Sequence, residues 1–219
     1  GKEEKILYEN IEYDVDMISY SRARKVLIGA RYSSWKRERY FFDTQWEGEI
    51  NDLKNKLGDI QFGIVSSDKA ENKKIVLASS DKSQGTYYLY DIAAGKLEKI
   101  ADVAPWLDEK EMASMVPVEY KSRDGLTING YLTLPKGYTM ENAKNMPVIV
   151  NPHGGPWYRD LWGYNPEIQF LANRGYVVFQ MNFRGSTGYG RQFWEASFKQ
   201  WGKAMQDDIT DGVNWLIES

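Results

Sequence analysis

Two stretches of the chain repeat the same order of strands and turns, and this repeat limits what the first half of the sequence can fold into. The similar segments lie 48 or 49 residues apart: 25–30 (KVLIGA) with 74–79 (KIVLAS), and 39–43 (RYFFD) with 87–91 (YYLYD). A glycine turn is expected after each aromatic strand, at 48–50 and at 95–97. Short strands with this period are typical of β-propeller blades, although two hairpins of a β-sandwich give the same pattern. Because a propeller needs about 4–8 blades, most of such a ring would precede residue 1.

From about residue 113 the chain alternates strands with helices. The predicted elements are a hairpin (115–121 and 126–134, turning at Asp124-Gly125), a buried strand (147–150), a helix from Asn165-Pro166 to Gly175, a second buried strand (176–181), a helix at 193–200 and a helix from about 204. Strand, helix, strand and helix at these lengths predict parallel βαβ units in an α/β sheet. The fold class expected is therefore mixed, with a boundary near residue 110, and another strand is expected after Ser219.

The composition and charge of the chain argue against several classes of function. A net charge of −3 gives no electrostatic reason to expect nucleic acid or an anionic membrane as a partner. No apolar stretch approaches the ~18 residues of a membrane helix. Without cysteine there is no disulfide or thiolate metal site, and no other metal-ligand spacing occurs, so neither a metal nor a cofactor is predicted. The compartment stays open, because cytoplasmic, periplasmic and secreted proteins all fit.

The predicted strand at 147–150 leads into a double-glycine motif, Asn-Pro-His-Gly-Gly-Pro at 151–156. Glycine accepts positive φ, so a sharp turn here can aim free N–H groups at a developing negative charge, as in an oxyanion hole. An HGGG-type sequence after an early strand is the form this takes in α/β-hydrolases. A simple tight turn at Gly154-Gly155 is the alternative. No Gly-x-Ser-x-Gly occurs in the 219 residues and His153 is the only histidine, so half of a hydrolase site is present.

A second glycine-rich motif, Asn-Phe-Arg-Gly-Ser-Thr-Gly-Tyr-Gly, follows the other buried strand at 182–190. It is not a P-loop, which requires Gly-x4-Gly-Lys-Ser/Thr. Ser186 does not sit in a nucleophile elbow, because its glycine neighbours have the wrong offset. We expect the motif to turn the chain over the carboxyl edge of the sheet, with Arg184 held by carboxylates or carbonyls. Substrate contact by Arg184 or Tyr189 is the alternative.

Several other residues have a functional and a structural interpretation. His153 is expected to shape the loop or the oxyanion side of the site, with a purely structural role or triad membership as alternatives. Trp157, Tyr158 and Trp162 follow the double glycine as candidate cleft walls, and packing between domains explains them equally well. The 15 Tyr, 8 Trp and 8 Phe of the chain favour packing in strands over an aromatic-lined cleft. Acidic residues near the start of the last helix, Asp207 and Asp208, are interpreted as partners of the helix dipole.

Together the repeat, the two glycine motifs and the Asp-Asp-Ile helix ending in Trp-Leu resemble the prolyl oligopeptidase family of serine peptidases. The resemblance is nearest to its acylaminoacyl peptidase and dipeptidyl aminopeptidase branches, and it is stronger over 113–219 than over the repeats. It implies an N-terminal propeller capping an α/β-hydrolase domain with a Ser-Asp-His triad. It also implies that the Gly155 N–H is one oxyanion donor, with Gly154 and His153 in the same loop. The triad serine would follow Ser219 by about 15–20 residues.

The resemblance thus implies a division of the chain and a function. Residues 1–110 would be C-terminal propeller blades, and 111–219 the N-terminal part of a hydrolase domain, truncated before the nucleophile elbow. The longer parent protein would hydrolyse short peptides, and this chain alone would be inactive. An esterase acting on non-peptide acyl substrates and a non-catalytic, propeller-based binding module are the alternatives. Because its last strand edge would be unpaired, we also expect the truncated chain to self-associate.

Overall fold

A computed structural model describes residues 5–219, which divide into two compact units, one ending at Leu107 and the other running from Asp108 to Ser219. Sheets and helices are both present, in agreement with the mixed class predicted from the sequence. No helix in the described range is both long and apolar enough to cross a membrane.

The first unit begins with a three-stranded antiparallel sheet in the order β1-β2-β3. Its strands are β1 (Val15–Ser21), β2 (Val26–Ser33) and β3 (Arg37–Phe41). The first copy of the sequence repeat therefore forms the β2–β3 hairpin. Arg31 faces Arg39 across this hairpin, and Ser33 faces Arg37.

A helix, α1 (Thr44–Leu57), replaces the glycine turn predicted at 48–50, so that prediction is wrong. The Asp43 side chain caps the helix by accepting a 2.8 Å hydrogen bond from the Trp46 N–H. Ile50 and Leu53 are fully buried on one face. Gly48 lies on the exposed side of the helix, where an added Cβ would meet nothing within 4 Å.

The second sheet of this unit is a four-stranded antiparallel meander. Its strands are β4 (Gln61–Ser67), β5 (Lys73–Ser79), β6 (Thr86–Asp91) and β7 (Lys96–Asp102). The second copy of the repeat forms the β5–β6 hairpin, and the turn predicted around Gly95 is present, with φ of 60° at that glycine. The core of the unit combines residues of α1 with this sheet: Ile50, Leu53, Phe62, Val76, Ala78 and Tyr90.

The second unit is built on a four-stranded sheet in the order β10-β11-β9-β8. Its strands are β8 (Ser114–Lys121), β9 (Thr127–Leu134), β10 (Val148–Val150) and β11 (Val177–Asn182). The β8–β9 hairpin and both later strands lie where the sequence predicts them, and β11 is buried throughout, but the prediction that the first of the two is buried is wrong, because Val148 is exposed and the rest of β10 is half-buried. β10 and β11 are parallel, whereas β9 pairs antiparallel with β8 and with β11. A parallel βαβ unit is thus joined to an antiparallel hairpin.

Three helices accompany this sheet: α2 (Pro166–Asn173), α3 (Gly190–Glu195) and α4 (Ala204–Glu218). The predicted start of α2 is confirmed, because the Asn165 side chain accepts hydrogen bonds from the Glu167 and Ile168 N–H groups. The helix predicted at 193–200 instead begins at Gly190 and ends at Glu195, before turns that place Lys199 and Gly202 at positive φ. Buried apolar residues of the sheet, α3 and α4 form one core, which includes Ile128, Leu132, Phe179, Met181, Phe193 and Met205.

Candidate active site

Both glycine-rich loops leave the sheet at the carboxyl ends of the two parallel strands, β10 and β11. The Asn151 N–H donates a 2.8 Å hydrogen bond to the Phe179 carbonyl and so extends the pairing of the two strands by one residue. Further along, the Thr187 N–H donates to the Tyr158 carbonyl at 3.0 Å and joins the two loops. In open α/β sheets this carboxyl edge is where ligands bind.

Of the two adjacent glycines, Gly155 is the one that the backbone requires. Its φ is 134°, a value that L side chains rarely adopt. A Cβ placed there would lie 2.8 Å from the Trp157 nitrogen, whereas a Cβ on Gly154 would meet nothing within 4 Å. The Gly155 N–H donates no backbone hydrogen bond within residues 5–219. The loop therefore holds Gly155 in a special conformation with its amide donor available.

The His153 ring lies between the two loops. Its Nε2 atom is 2.9 Å from the Ser186 Oγ, and its Nδ1 atom is 2.9 Å from the Gly154 carbonyl oxygen. The ring stacks on Phe183 with centroids 4.6 Å apart and an interplanar angle of 18°. These contacts fix the imidazole beside the double glycine, where the sequence places it.

The contacts around His153 also define the role of Ser186. The Ser186 hydroxyl is 2.7 Å from the Phe183 carbonyl, which can only accept a hydrogen bond, so the hydroxyl donates there and accepts from Nε2. The Gly154 carbonyl likewise requires a donor on Nδ1. Ser186 is fully buried, and its hydroxyl links the two loops through these contacts.

Asp160 is a charged residue of this region that the sequence analysis did not single out. Burial raises the pKa of its carboxyl, although the charge of His153 and a hydrogen bond from Gln180 act to lower it. The Asp160 Oδ2 atom is buried without a hydrogen-bond partner in the described part of the chain. The Asn182 side chain bonds both main-chain groups of Asp160, at 2.7 and 3.1 Å. No spacing in the sequence points to this residue, because its partners lie on a strand about 20 positions away.

The aromatic residues after the double glycine are exposed, with relative exposures of 51% for Trp157 and 61% for Tyr158. Trp157 packs in an aromatic cluster with three residues from the segment that contains α3: Trp194, Phe198 and Trp201. Trp162 instead donates from its indole N–H to the Met115 carbonyl at 2.9 Å, within the same unit. Substrate contact by Trp157 and Tyr158 remains a prediction, and their exposed rings are accessible to a ligand.

The Arg184 guanidinium is engaged by two carboxylates, as the sequence predicts. It bonds both oxygens of Asp208, at 2.8 and 2.7 Å, and one oxygen of Asp124 at 2.8 Å. The hydrogen bond with Asp208 is the largest cause that raises the pKa of Arg184. Arg184 is 7% exposed, so direct substrate contact by this side chain remains a prediction without support from its position.

The interpretation of Asp208 as a helix-dipole partner is wrong. Asp208 is fully buried and, besides the Arg184 side chain, it accepts from the Arg184 N–H and the Ser122 hydroxyl. It therefore ties α4 to the second glycine-rich loop and to the β8–β9 turn. Its neighbour Asp207 faces the surface and lies 3.1 Å from Arg123.

Tyr189, the other predicted substrate contact, lies at the centre of a polar network. Its hydroxyl accepts from Arg159 at 2.9 Å and from Asn182 at 2.8 Å, and the Arg159 guanidinium also lies over its ring. These hydrogen bonds connect the second glycine-rich loop, which contains Tyr189, to Arg159 and to the end of β11 at Asn182. A role in substrate binding stays a prediction. No group of three or more acidic or histidine side chains in the described range is arranged to hold a metal ion.

Comparison with known proteins identifies relatives of this arrangement. Residues 162–219 match the model of the prolyl oligopeptidase family. Dipeptidyl aminopeptidase BIII of Pseudoxanthomonas mexicana is 42% identical over 165 residues, which are 74% of this chain and 24% of that protein. Dipeptidyl peptidase family member 6 of Caenorhabditis elegans is 27% identical over an alignment of 234 positions, which covers 99% of this chain and 32% of that protein.

A solved structure shares the fold. The acylaminoacyl peptidase of Pyrococcus horikoshii superposes with a TM-score of 0.65 at 23% identity, over 95% of this chain and 31% of that one. The matched residues thus make up between 24% and 32% of the length of these three proteins.

Proposed function

Because the chain belongs to the prolyl oligopeptidase family, we propose that it carries the oxyanion side of a serine peptidase active site. The reaction is hydrolysis of a peptide bond in a short peptide. A serine attacks the carbonyl carbon, a histidine transfers the proton to the leaving amine, and an aspartate orients the histidine. Two of the named relatives are dipeptidyl peptidases, which supports short peptides as the substrate class.

The observation that carries this proposal is the conformation of Gly155. Its positive φ and its unbonded N–H provide a fixed donor at the carboxyl end of a parallel strand. As the carbonyl carbon becomes tetrahedral its oxygen gains negative charge, and the Gly155 N–H stabilises that oxygen in this proposal. His153 positions the loop through its contact with Ser186, so that the donor does not need to reorganise during the reaction.

The triad itself is proposed to lie outside these 219 residues. The sequence holds no Gly-x-Ser-x-Gly, its one histidine is engaged by Ser186 and Gly154, and the hydroxyl of Ser186 is buried. On this proposal the chain alone has no triad-dependent activity. It gains activity only as part of a longer protein that supplies the serine, the aspartate and a second histidine.

The two parts of the chain are proposed to have different roles. Residues 1–110 would be blades of a β-propeller, and residues 111–219 the first part of an α/β-hydrolase domain. The four-stranded antiparallel meander β4–β7 supports the first assignment, because a propeller blade is a sheet of this kind. The β10-α2-β11 unit beside an antiparallel hairpin supports the second.

A pair of glycine variants in the longer protein tests the proposed function. Gly155→Ala keeps the N–H but forces the loop to move it, because the added Cβ would lie 2.8 Å from the Trp157 nitrogen. We expect kcat for a dipeptidyl p-nitroanilide to fall by up to about 10²–10³-fold, the usual loss for one oxyanion donor, with little change in KM. Gly154→Ala is the matched control and should keep kcat within about twofold, because its Cβ meets open space. Equal kcat values for the two variants would contradict the proposed role of Gly155.

The two alternative functions predict different outcomes in the same assay. An esterase would hydrolyse p-nitrophenyl acyl esters and leave dipeptidyl anilides intact. A non-catalytic binding module would turn over neither substrate, and Gly155→Ala would then change only stability. Peptide turnover that depends on Gly155 is the result expected here.

A further inference from the structure

Three arginines of the first unit lie on one face of the β2–β3 hairpin. Arg31 and Arg39 are direct cross-strand partners, and Arg37 precedes Arg39 by two residues. Successive side chains of a strand point to opposite faces, so residues two apart share a face, and directly paired residues also share one. Like charges opposite each other destabilise an antiparallel pair, so this arrangement needs a compensating partner.

Within residues 5–219 these three charges are compensated only in part, because the charge of Glu38 acts to raise the pKa of Arg39 without forming an ion pair. None of the three arginines forms an ion pair, and the Arg31 Nε atom is buried without a hydrogen-bond partner. Arg39 donates to the Phe62 carbonyl oxygen and lies 4.8 Å from the centroid of the Phe62 ring. Burial lowers the pKa of Arg39, and the charges of Arg31 and Arg37 lower it further. The cluster is therefore held in place with its charge only partly neutralised, by Glu38.

A cavity of about 450 Å³ opens beside this cluster. Basic residues that line it are Lys36, Arg37, Arg39 and Lys54. Two acidic residues also line it, Glu38 and Asp59. Glu38 alternates with Arg37 and Arg39 along the strand and belongs to the opposite face, where it pairs with Tyr32 across the hairpin. Four basic and two acidic residues thus line the cavity, so its lining carries a net positive charge and its volume has room for a small anion.

We propose that Arg37 and Arg39, which both line this cavity, form a binding site for an oxyanion, with the carboxylate of a peptide or a phosphate group as the ligand. The planar guanidinium fork matches both groups and forms two parallel charge-assisted hydrogen bonds with either. This proposal concerns the first unit alone and does not depend on the peptidase function of the second.

Titration of the 219-residue chain with inorganic phosphate tests the site. Phosphate is expected to shift the Nε–H resonances of Arg37 and Arg39 and to raise the midpoint of thermal unfolding as its concentration increases. Arg37→Gln should weaken phosphate binding about tenfold, through loss of one charge-assisted pair. Arg37 is exposed, so this variant is expected to fold, and far-UV circular dichroism checks that it does. The matched control is Arg22→Gln, which removes the same charge at the other end of the sheet and should change binding less than about twofold.

A second arm distinguishes the two sources of the oxyanion. An N-acetyl tripeptide with a free C-terminal carboxylate is compared with its C-terminal amide. Binding of the acid and not of the amide assigns the site to peptide carboxylates, and binding of phosphate alone assigns it to phosphate. Absence of any shift with either anion overturns the proposal. Equal affinities of Arg37→Gln, Arg22→Gln and wild type for phosphate overturn it as well.

Discussion

The Nε2 atom of His153 lies 2.9 Å from the Oγ of Ser186, 33 positions further along the chain. This hydrogen bond connects the loops that follow the two parallel strands β10 and β11. It means that the double glycine is held from two sides, by its own strand and by the neighbouring loop. A loop fixed in this way can present the Gly155 N–H in one geometry, as electrostatic stabilisation of a transition state requires.

Replacement of the link serine is expected to loosen the double-glycine loop without removing a nucleophile. Ser186→Ala leaves the Nε2 atom of His153 without its partner. We therefore expect a loss of about 1–3 kcal/mol in the free energy of unfolding, measured in urea. Thr187→Ala changes the exposed neighbour and should have an effect below about 0.5 kcal/mol. Equal stabilities of the two variants would show that the His153–Ser186 contact carries no stability.

The buried Arg184–Asp208 pair is expected to be the most sensitive ionic contact of the second unit. Arg184→Met leaves the fully buried Asp208 carboxylate without its cation and should cost about 3–5 kcal/mol of unfolding free energy. Arg191→Met is the matched control, because that side chain is 83% exposed and its contact with Glu195 is 3.8 Å long. Its expected cost is below about 1 kcal/mol. A loss of the same size in both variants, measured by chemical unfolding, would contradict this ranking.

Much of the second unit follows from local sequence signals. The Asp124-Gly125 turn fixes the β8–β9 hairpin, and Asn165-Pro166 fixes the first turn of α2, because each depends on neighbours within four residues. The contacts of Asp208 could not be predicted in this way, because its partners are not local in sequence. Its partners Arg184 and Ser122 lie 24 and 86 positions away, and no helical pattern reveals a contact made through the fold.

In the first unit the repeat led to the wrong prediction of a turn at 48–50, where α1 lies. Gly48 occupies the place of the turn glycine of the second copy, but helical spacing of Trp46, Ile50 and Leu53 outweighs it. These side chains bury a continuous stripe against the β4–β7 sheet, and that gain exceeds the loss of about 1 kcal/mol for a glycine inside a helix. The pairing of Arg31 with Arg39 could not be predicted from the sequence either, because it depends on the register of the hairpin.

Loss of the α1 cap is expected to destabilise the first unit. Asp43→Ala removes the acceptor of the Trp46 N–H and the ion pair with Arg24, and should cost about 1–2 kcal/mol. Arg24→Gln removes the ion pair and keeps the cap, so its cost should stay below about 1 kcal/mol. Thermal unfolding followed by circular dichroism at 222 nm distinguishes the two. A larger loss for Arg24→Gln would mean that the ion pair, and not the cap, starts the helix.

The stability contribution of Asp160 is expected to depend on pH. Burial raises the folded-state pKa of its carboxyl. An unfolded aspartate releases its proton at about pH 4. Between that pH and the folded-state pKa, the Asp160 carboxyl of the folded chain still holds its proton. Stability from this group is therefore complete at low pH and is lost as the pH rises through the folded-state pKa.

Asp160→Asn removes this titration, so the variant should gain stability over wild type as the pH increases, by at most about 1.4 kcal/mol per pH unit. Urea unfolding between about pH 4 and 8 measures the difference. Glu119→Gln, which removes an exposed carboxylate on β8, is the matched control for the loss of an acidic group. A constant difference between Asp160→Asn and wild type across the range would contradict a raised pKa.

Covalent labelling with a fluorophosphonate tests most directly whether these 219 residues supply an oxyanion loop without a nucleophile. The reagent reacts with an activated serine and leaves a phosphonyl group that intact-mass spectrometry detects. The 219-residue chain is expected to remain unlabelled and to leave dipeptidyl p-nitroanilides intact, whereas the longer protein should be labelled once, on a serine beyond residue 219. Stoichiometric labelling of Ser186, together with turnover that Ser186→Ala abolishes, would contradict the proposed function.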